Sequence, residues 1–176
     1  MGMGRKIFKK TGLIALATLA IGLVGLQVAA NAQAGQDAVL NAAEATKLLP
    51  ASVYFKGQSA PTQLRNSGGV KFADGLFVLA AMVDTSGYSS DIQQKYQAYL
   101  IAETPIKIEG HTLAAGVYGV GFVEGKFVVL DVGAHDLFSV GAHKDEALKR
   151  PMPLKVVADG ASFRLYAGRS YVSFAR

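Results

Sequence analysis

Cysteine and tryptophan are both missing from this chain of 176 residues. Without cysteine there is no disulfide, no thiol nucleophile, no cysteine-based zinc site and no iron–sulfur cluster. Histidine is limited to His111, His135 and His143, and there are five prolines. The signatures of several large enzyme classes are also absent. There is no Gly-x-Ser-x-Gly elbow, no phosphate-binding Walker loop, no Rossmann fingerprint opening a helix and no His-Glu-x-x-His pair. Gly119 and Gly121 form a Gly-x-Gly, but within a strand pattern. No repeat of about 20–50 residues is visible, which excludes solenoids and propellers.

What is present begins with an export signature. Arg5, Lys6, Lys9 and Lys10 precede an apolar run from Leu13 to Leu26, which Thr18 and glycines interrupt. Two small-x-small sites follow, Ala30-Asn31-Ala32 and Ala32-Gln33-Ala34. This is the layout of a secretory signal peptide over residues 1–34, cleaved after Ala32 or Ala34. A secreted or periplasmic location follows. The alternative is an uncleaved inner-membrane anchor, since Leu13 to Ala30 just reaches the lower limit for a spanning helix, about 17 residues. Loss of the four basic residues lowers the net charge from +5 to about +1. No basic patch then remains for nucleic acid, and no membrane contact is expected after cleavage. An exported domain without disulfides is held together by core packing alone, and residues 35–176 are enough for that.

The strongest structural signal is His111 to Val132. Two apolar runs meet at Glu124-Gly125, a dipeptide suited to a two-residue type I′ turn. That turn pairs Val123 with Lys126, Phe122 with Phe127 and Val120 with Val129. Tyr118, Val120, Phe122, Phe127 and Val129 then share one face. Gly119 and Gly121 lie opposite Leu130 and Val128 on the other, where bulk fills the gap or another backbone comes close. A hairpin this apolar belongs at the centre of a sheet with both faces covered.

Before it, the spacing predicts a helix over Asp37 to Leu49, capped by Asp37 or by Asn41 with Glu44, and ended by Pro50. Ser52 to Lys56 reads as a strand, Gly57 to Gly69 as a polar connection, and Leu76 to Val83 as a buried strand after an Asp74-Gly75 turn. Thr85 to Asp91 reads as loop. Ile92 to Glu103 fits both periods, and strand is preferred for Lys95 to Ala102 because antiparallel meanders are local. Ile106 and Ile108 lead to a turn at Glu109-Gly110. His135 to Met152 shows no strand alternation, with one helical turn expected at Asp145 to Arg150. A meander with turns at Asp159-Gly160 and Ala167-Gly168-Arg169 closes the chain. The fold expected is all-β, an antiparallel β-sandwich or small barrel with one short N-terminal helix: residues 35–50 helix and linker, residues 51–176 a single β domain.

The stretch Ile106-x-Ile108-x-Gly110-x-x-Leu113-x-Ala115-Gly116-x-Tyr118, followed by two apolar strands, resembles the middle of the DUF2911 family, over about residues 97–132. Those are exported bacterial β-proteins of unknown biochemical role. The resemblance implies a β-sandwich in an exported protein and carries over no catalytic residue.

Chemistry-bearing residues gather after the hairpin. His135-Asp136 and His143-Lys144-Asp145 sit in a small echo, each after Gly-Ala. Histidine with nearby carboxylate can ligate zinc or copper, so His135, Asp136, His143 and Asp145 are the candidate ligand or metal residues. The plainer reading is two loop histidines beside turn-forming residues. Asp84-Thr85-Ser86-Gly87 and Asp131-Val132-Gly133 each follow an apolar strand and loosely resemble the Asp-Thr/Ser-Gly of a paired-aspartate site. The favoured function is a non-enzymatic β-domain, with no cofactor, that binds a small ligand or an envelope protein partner. The alternative is a metal-dependent or aspartic-type hydrolase using His135 and His143, or Asp84 and Asp131.

Overall fold

The structure, a computed structural model, describes Met1 and residues 35–176. The expected signal peptide lies outside the described residues. From Asp37 the chain does not enter a helix. The Asp37 carboxylate accepts the Ala73 amide at 2.8 Å, and β1 (Ala38–Leu40) pairs antiparallel with residues 69–71. A helix begins only at α1 (Ala42–Ala45), where Asn41 and Glu44 form a reciprocal capping box. The Ala-rich periodicity thus overstates the helix. A short helix is marginal alone, and an open sheet edge offered the first residues hydrogen bonds sooner.

β2 (Ser52–Phe55) turns through Lys56-Gly57, both at positive φ, into β3 (Gln58–Lys71). This 14-residue strand replaces the expected polar connection. Its first part pairs with β2, and its length pairs with β4 (Phe77–Val83). The Pro61 carbonyl still accepts, from the Asp84 amide at 2.9 Å. The polar residues between Gln63 and Ser67 form an irregularity in the register. Loop-like composition here marks a bulged strand near an edge, where proline and small polar residues are tolerated.

Both readings of Ile92 to Glu103 are partly right. α2 (Ser90–Lys95) is helical and β5 (Ala98–Ala102) is strand. The changeover is covered by Gln97, whose side-chain amide bonds both the N–H and the C=O of Phe122. β6 (Ile106–Ile108) and β7 (His111–Leu113) form a small hairpin around Glu109-Gly110. β8 (Gly116–Val123) and β9 (Lys126–Leu130) are the central hairpin. Its register is the expected one, Val123 to Lys126 and Phe122 to Phe127. Glu124 and Gly125 have φ of 50° and 76°, the type I′ signature.

Residues 136–144 are strand, not irregular chain. β10 (Asp136–Gly141) pairs with β9, and β11 (His143–Lys144) pairs with β14 (Ser170–Ala175). No helical turn forms at 145–150. β12 (Met152–Asp159), β13 (Ser162–Gly168) and β14 make the expected meander. Its first turn is one residue later than expected. Asp159 pairs with Ser162, leaving Gly160-Ala161 as the turn, with Gly160 alone at positive φ. Glycine in the first central position is the II′ arrangement, which serves a hairpin as well as I′ does.

Two antiparallel sheets result. The first runs β1-β3-β4-β5-β8-β9-β10, with β2 beside β3, and the second runs β12-β13-β14-β6-β7, with β11 beside β14. The main core lies between them, including Val120, Phe127, Val129, Phe163, Val172 and Phe174. The chain crosses between sheets from β5 to β6, from β7 to β8 and from β10 to β11. The interior is filled: two internal voids are about 10 Å³ each, room for about one water. The outer face of the first sheet is covered twice. The residues around α1 pack on Leu79 and Ala81, and β2 with α2 packs on β5, β8 and β9. Gly119 makes this second cover possible, since a Cβ there would sit 2.6 Å from Phe55 and 2.9 Å from Tyr96. Gly121 likewise leaves room for the Lys95 carbonyl.

Candidate functional site

The four candidate ligand residues do not converge. His135 and His143 flank β10, which is in the first sheet, and His143 itself belongs to β11 in the second. The His135 imidazole pairs with Asp131 at 2.9 Å and is 80 % exposed. Asp136 accepts the Lys95 ammonium at 2.6 Å. His143 pairs with Glu109 at 3.2 Å, and Asp145 accepts the Tyr166 hydroxyl at 3.0 Å. Among the described residues no three His, Asp or Glu side chains are placed to share a metal ion.

The two aspartates do not meet either. By register, residue 82 of β4 is level with residue 129 of β9, and the two strands run in opposite directions. Asp84 and Asp131 are therefore about 13 Å apart along the sheet and three strand spacings apart across it, about 14 Å. Each serves its own turn. Asp84 accepts the Ser86 amide at 3.0 Å, and that bond with the Ser86 hydroxyl holds its carboxyl below the usual range. Asp131 accepts the amides of His135 and Gly133 and the His135 ring, which lower it in the same way. This is turn chemistry, with Asp side chains mimicking backbone acceptors.

The richest constellation lies on the outward face of the second sheet. Alternation puts Leu165, Val172 and Phe174 into the core, so Arg164, Tyr166, Tyr171 and Ser173 lie on the other face, where Tyr166 is covered by its neighbours and the other three are half-buried. Pairing then aligns Lys155, Tyr166, Tyr171 and His143 across four strands. The three rings follow one another in a row, Tyr171 stacked on His143 and tilted against Tyr166. Tyr166 and Tyr171 are 5.0 Å apart, and Tyr171 and His143 are 5.2 Å apart. The Arg164 guanidinium lies 4.7 Å from the Tyr171 ring centre and bonds Asp159 at 2.8 Å. The Tyr166 hydroxyl and Asp159 beside it push the Arg164 pKa further up.

Glu109 closes the row. One carboxylate oxygen accepts the Ser173 amide at 2.5 Å and the other faces His143. It does so where β11 leaves β14 for the first sheet and β6 takes its place. Next to it is a shallow basin of about 290 Å³, floored by Ser162, Ser173, Ala175 and Gly110 and edged by Lys107 and Glu109. A row of rings, a fixed guanidinium and flanking carboxylates offer hydrogen bonds in a set geometry.

His143 and Asp145 are thus part of this face, whereas His135 and Asp136 are not. Glu109, Arg164, Tyr166 and Tyr171 were not among the expected site residues. Their signal was available: polar and aromatic residues alternate with apolar ones through both strands of the last hairpin, and its turn sets Tyr166 against Tyr171.

The fold and face define an antiparallel two-sheet β-protein with a polar–aromatic surface constellation. No family model, no curated protein and no solved structure matches the chain. Among the described residues no helix is long and apolar enough to cross a membrane.

Proposed function

We propose that this chain is an exported, non-catalytic β-domain that recognises a small ligand or an envelope protein partner on the outward face of its second sheet. The observation that carries the reading is the filled interior. With voids of about 10 Å³ between the sheets, the domain has no room to hold a ligand inside, as larger barrels do. Recognition then falls to the surface. The accessible part of the row, Tyr171 and His143 with Arg164 and Glu109, supplies tyrosine and arginine, the residue types enriched where binding energy concentrates, while Tyr166 is buried and supports them from beside. Export rests on the N-terminal signal, read as cleaved after Ala32 or Ala34, and places the domain in the periplasm or outside the cell. The architecture is read as an antiparallel sandwich or small barrel, which its two sheets around one core support. The resemblance over residues 97–132 to an exported β-family points the same way.

The test is a thermal-shift screen of the protein against glycans, fatty acids and divalent metals, paired with a Tyr171→Ala variant. A ligand that binds only the folded state raises the melting temperature by mass action. A ligand that stabilises the parent and not Tyr171→Ala supports the reading. A ligand that stabilises both equally moves recognition off this face. No response to any class leaves the protein partner, to be sought by crosslinking in the envelope. Equal capture by the parent and Tyr171→Ala overturns the reading.

A further inference from the structure

A second site lies on the outer side of the first sheet, away from the face just described. There Phe55, Tyr88 and Tyr96 form a box of rings. Phe55 and Tyr96 stack at 3.7 Å, and Tyr88 meets Tyr96 edge-on at 5.5 Å. Tyr96 is fully buried, and among the described residues its hydroxyl has no hydrogen-bond partner. That is costly, because a buried hydroxyl loses its water and gains nothing in return. The cost is avoidable, since phenylalanine would fill the same space. Burial pushes the phenol pKa of Tyr88 and of Tyr96 upward, so both remain neutral donors.

In front of the box is an open cleft of about 340 Å³ between the Lys56-Gly57 turn and the Gly87-Tyr88-Ser89 loop, with Ile92 of α2 in its wall. Tyr88 and Ile92 belong to both the cleft and the box: one packs its ring against Tyr96 and the other accepts the Tyr96 amide at 2.7 Å. The cleft walls are tied together by Gln58, which donates to the Gly87 carbonyl at 3.2 Å. Tyr88 lines the cleft and meets Tyr96 edge-on. Its hydroxyl donates to the Phe55 carbonyl at 2.9 Å.

We infer that the cleft is the mouth of a binding site for a small, flat, uncharged molecule carrying one hydrogen-bond acceptor, which displaces the Tyr88 ring and takes the Tyr96 hydroxyl as its donor. The ring box selects a flat shape, because offset and edge-on contacts favour aromatic guests. Its apolar lining penalises a charge. The unpaired hydroxyl supplies the one polar contact that orients the guest, the usual composition of a small-molecule site.

Acetophenone and ethylbenzene are matched probes, with and without the acceptor, and binding to the full chain can be measured by calorimetry. Acetophenone is expected to bind at millimolar concentration or tighter. Tyr96→Phe should weaken acetophenone about tenfold, leave ethylbenzene unchanged, and leave the unliganded melting temperature equal or higher. Ser89→Trp, at an exposed position in the cleft mouth, should abolish binding of both. The inference is overturned if acetophenone does not bind, if Tyr96→Phe binds it as well as the parent does, or if Ser89→Trp leaves binding intact. Because Tyr171→Ala tests the other sheet, the two proposals fail independently.

Discussion

At the scale of single residues, Gly119 and Glu109 carry more structure than their size or exposure suggests. Gly119 sits beneath two stacked rings that cannot retreat, because Phe55 and Tyr96 are both fully buried. A methyl group there is overpacking, so Gly119→Ala should lower stability by about 1–3 kcal/mol in urea unfolding. Gly141 is the control. Its added Cβ would meet nothing within 4 Å, and Gly141→Ala should be neutral or slightly stabilising. Equal losses at both positions would show that strand glycine, not the ring box, sets the cost. Glu109 is a different case, a carboxylate that supplies the acceptor Ser173 needs where two strands part. Nothing local in the sequence reveals this. The bond joins residues 64 apart, and only the finished pairing of β6 with β14 brings them together.

Among the elements, the hairpin of two apolar strands was legible, because its register follows from the turn, whereas the adjacent pairs β2–β3 and β9–β10 were not. Glu124-Gly125 specified which residues of β8 and β9 face each other, down to the glycines opposite Val128 and Leu130. What could not be read were strands whose partners are distant or whose faces are exposed. Residues 58–69 are mostly polar and leave much of their surface in water, and in 136–144 the alternation is short, with only Phe138, Val140 and Ala142 reaching the core between exposed neighbours. Loop-like composition and exposed-edge composition are the same thing chemically. The candidate site suffered for that reason. With 136–144 taken as irregular chain, His135 and His143 looked like neighbours, whereas β10 and the crossing to the second sheet separate them. The N-terminal helix was overestimated by the opposite error, since its capping box was correctly located and its length was not. That cap remains the main local determinant of α1. Asn41→Ala removes the acceptor for the Ala43 and Glu44 amides and should cost about 0.5–2 kcal/mol. Asn41→Asp should restore most of it. If Asn41→Ala has no effect, α1 is held by Ala45 and Leu49 docking on Leu79 and Ala81 rather than by its cap.

For the whole molecule, the sheets are tied at their margins by exposed carboxylates rather than by buried charge. Asp74 pairs with Arg176 at the end of the chain at 2.6 Å, Asp84 closes the turn after β4, and Asp131 closes the turn between β9 and β10. All three have their carboxyl pKa lowered, Asp74 chiefly by the Arg176 hydrogen bond, Asp84 by the Ser86 amide and Asp131 by the His135 amide. The sign follows from linkage. A group more acidic in the folded chain than in the unfolded one contributes stability that is complete above its unfolded pKa, about 4, and disappears as pH falls through the folded value. Stability should therefore hold from neutral pH down to about 4.5 on account of these groups, then fall progressively below about 4. The three sites are fully exposed, so each contribution is small and screened by salt. Only their sum, spread over the turns of the first sheet, should be visible. Melting temperatures measured from pH 7 to pH 2 test this, with Asp74→Asn, Asp84→Asn and Asp131→Asn combined in one variant. The variant should start less stable at pH 7 and show a shallower acid slope than the parent. Parallel curves would place the acid sensitivity in other carboxylates, and a parent that is most stable at pH 2 would reverse the sign of the argument.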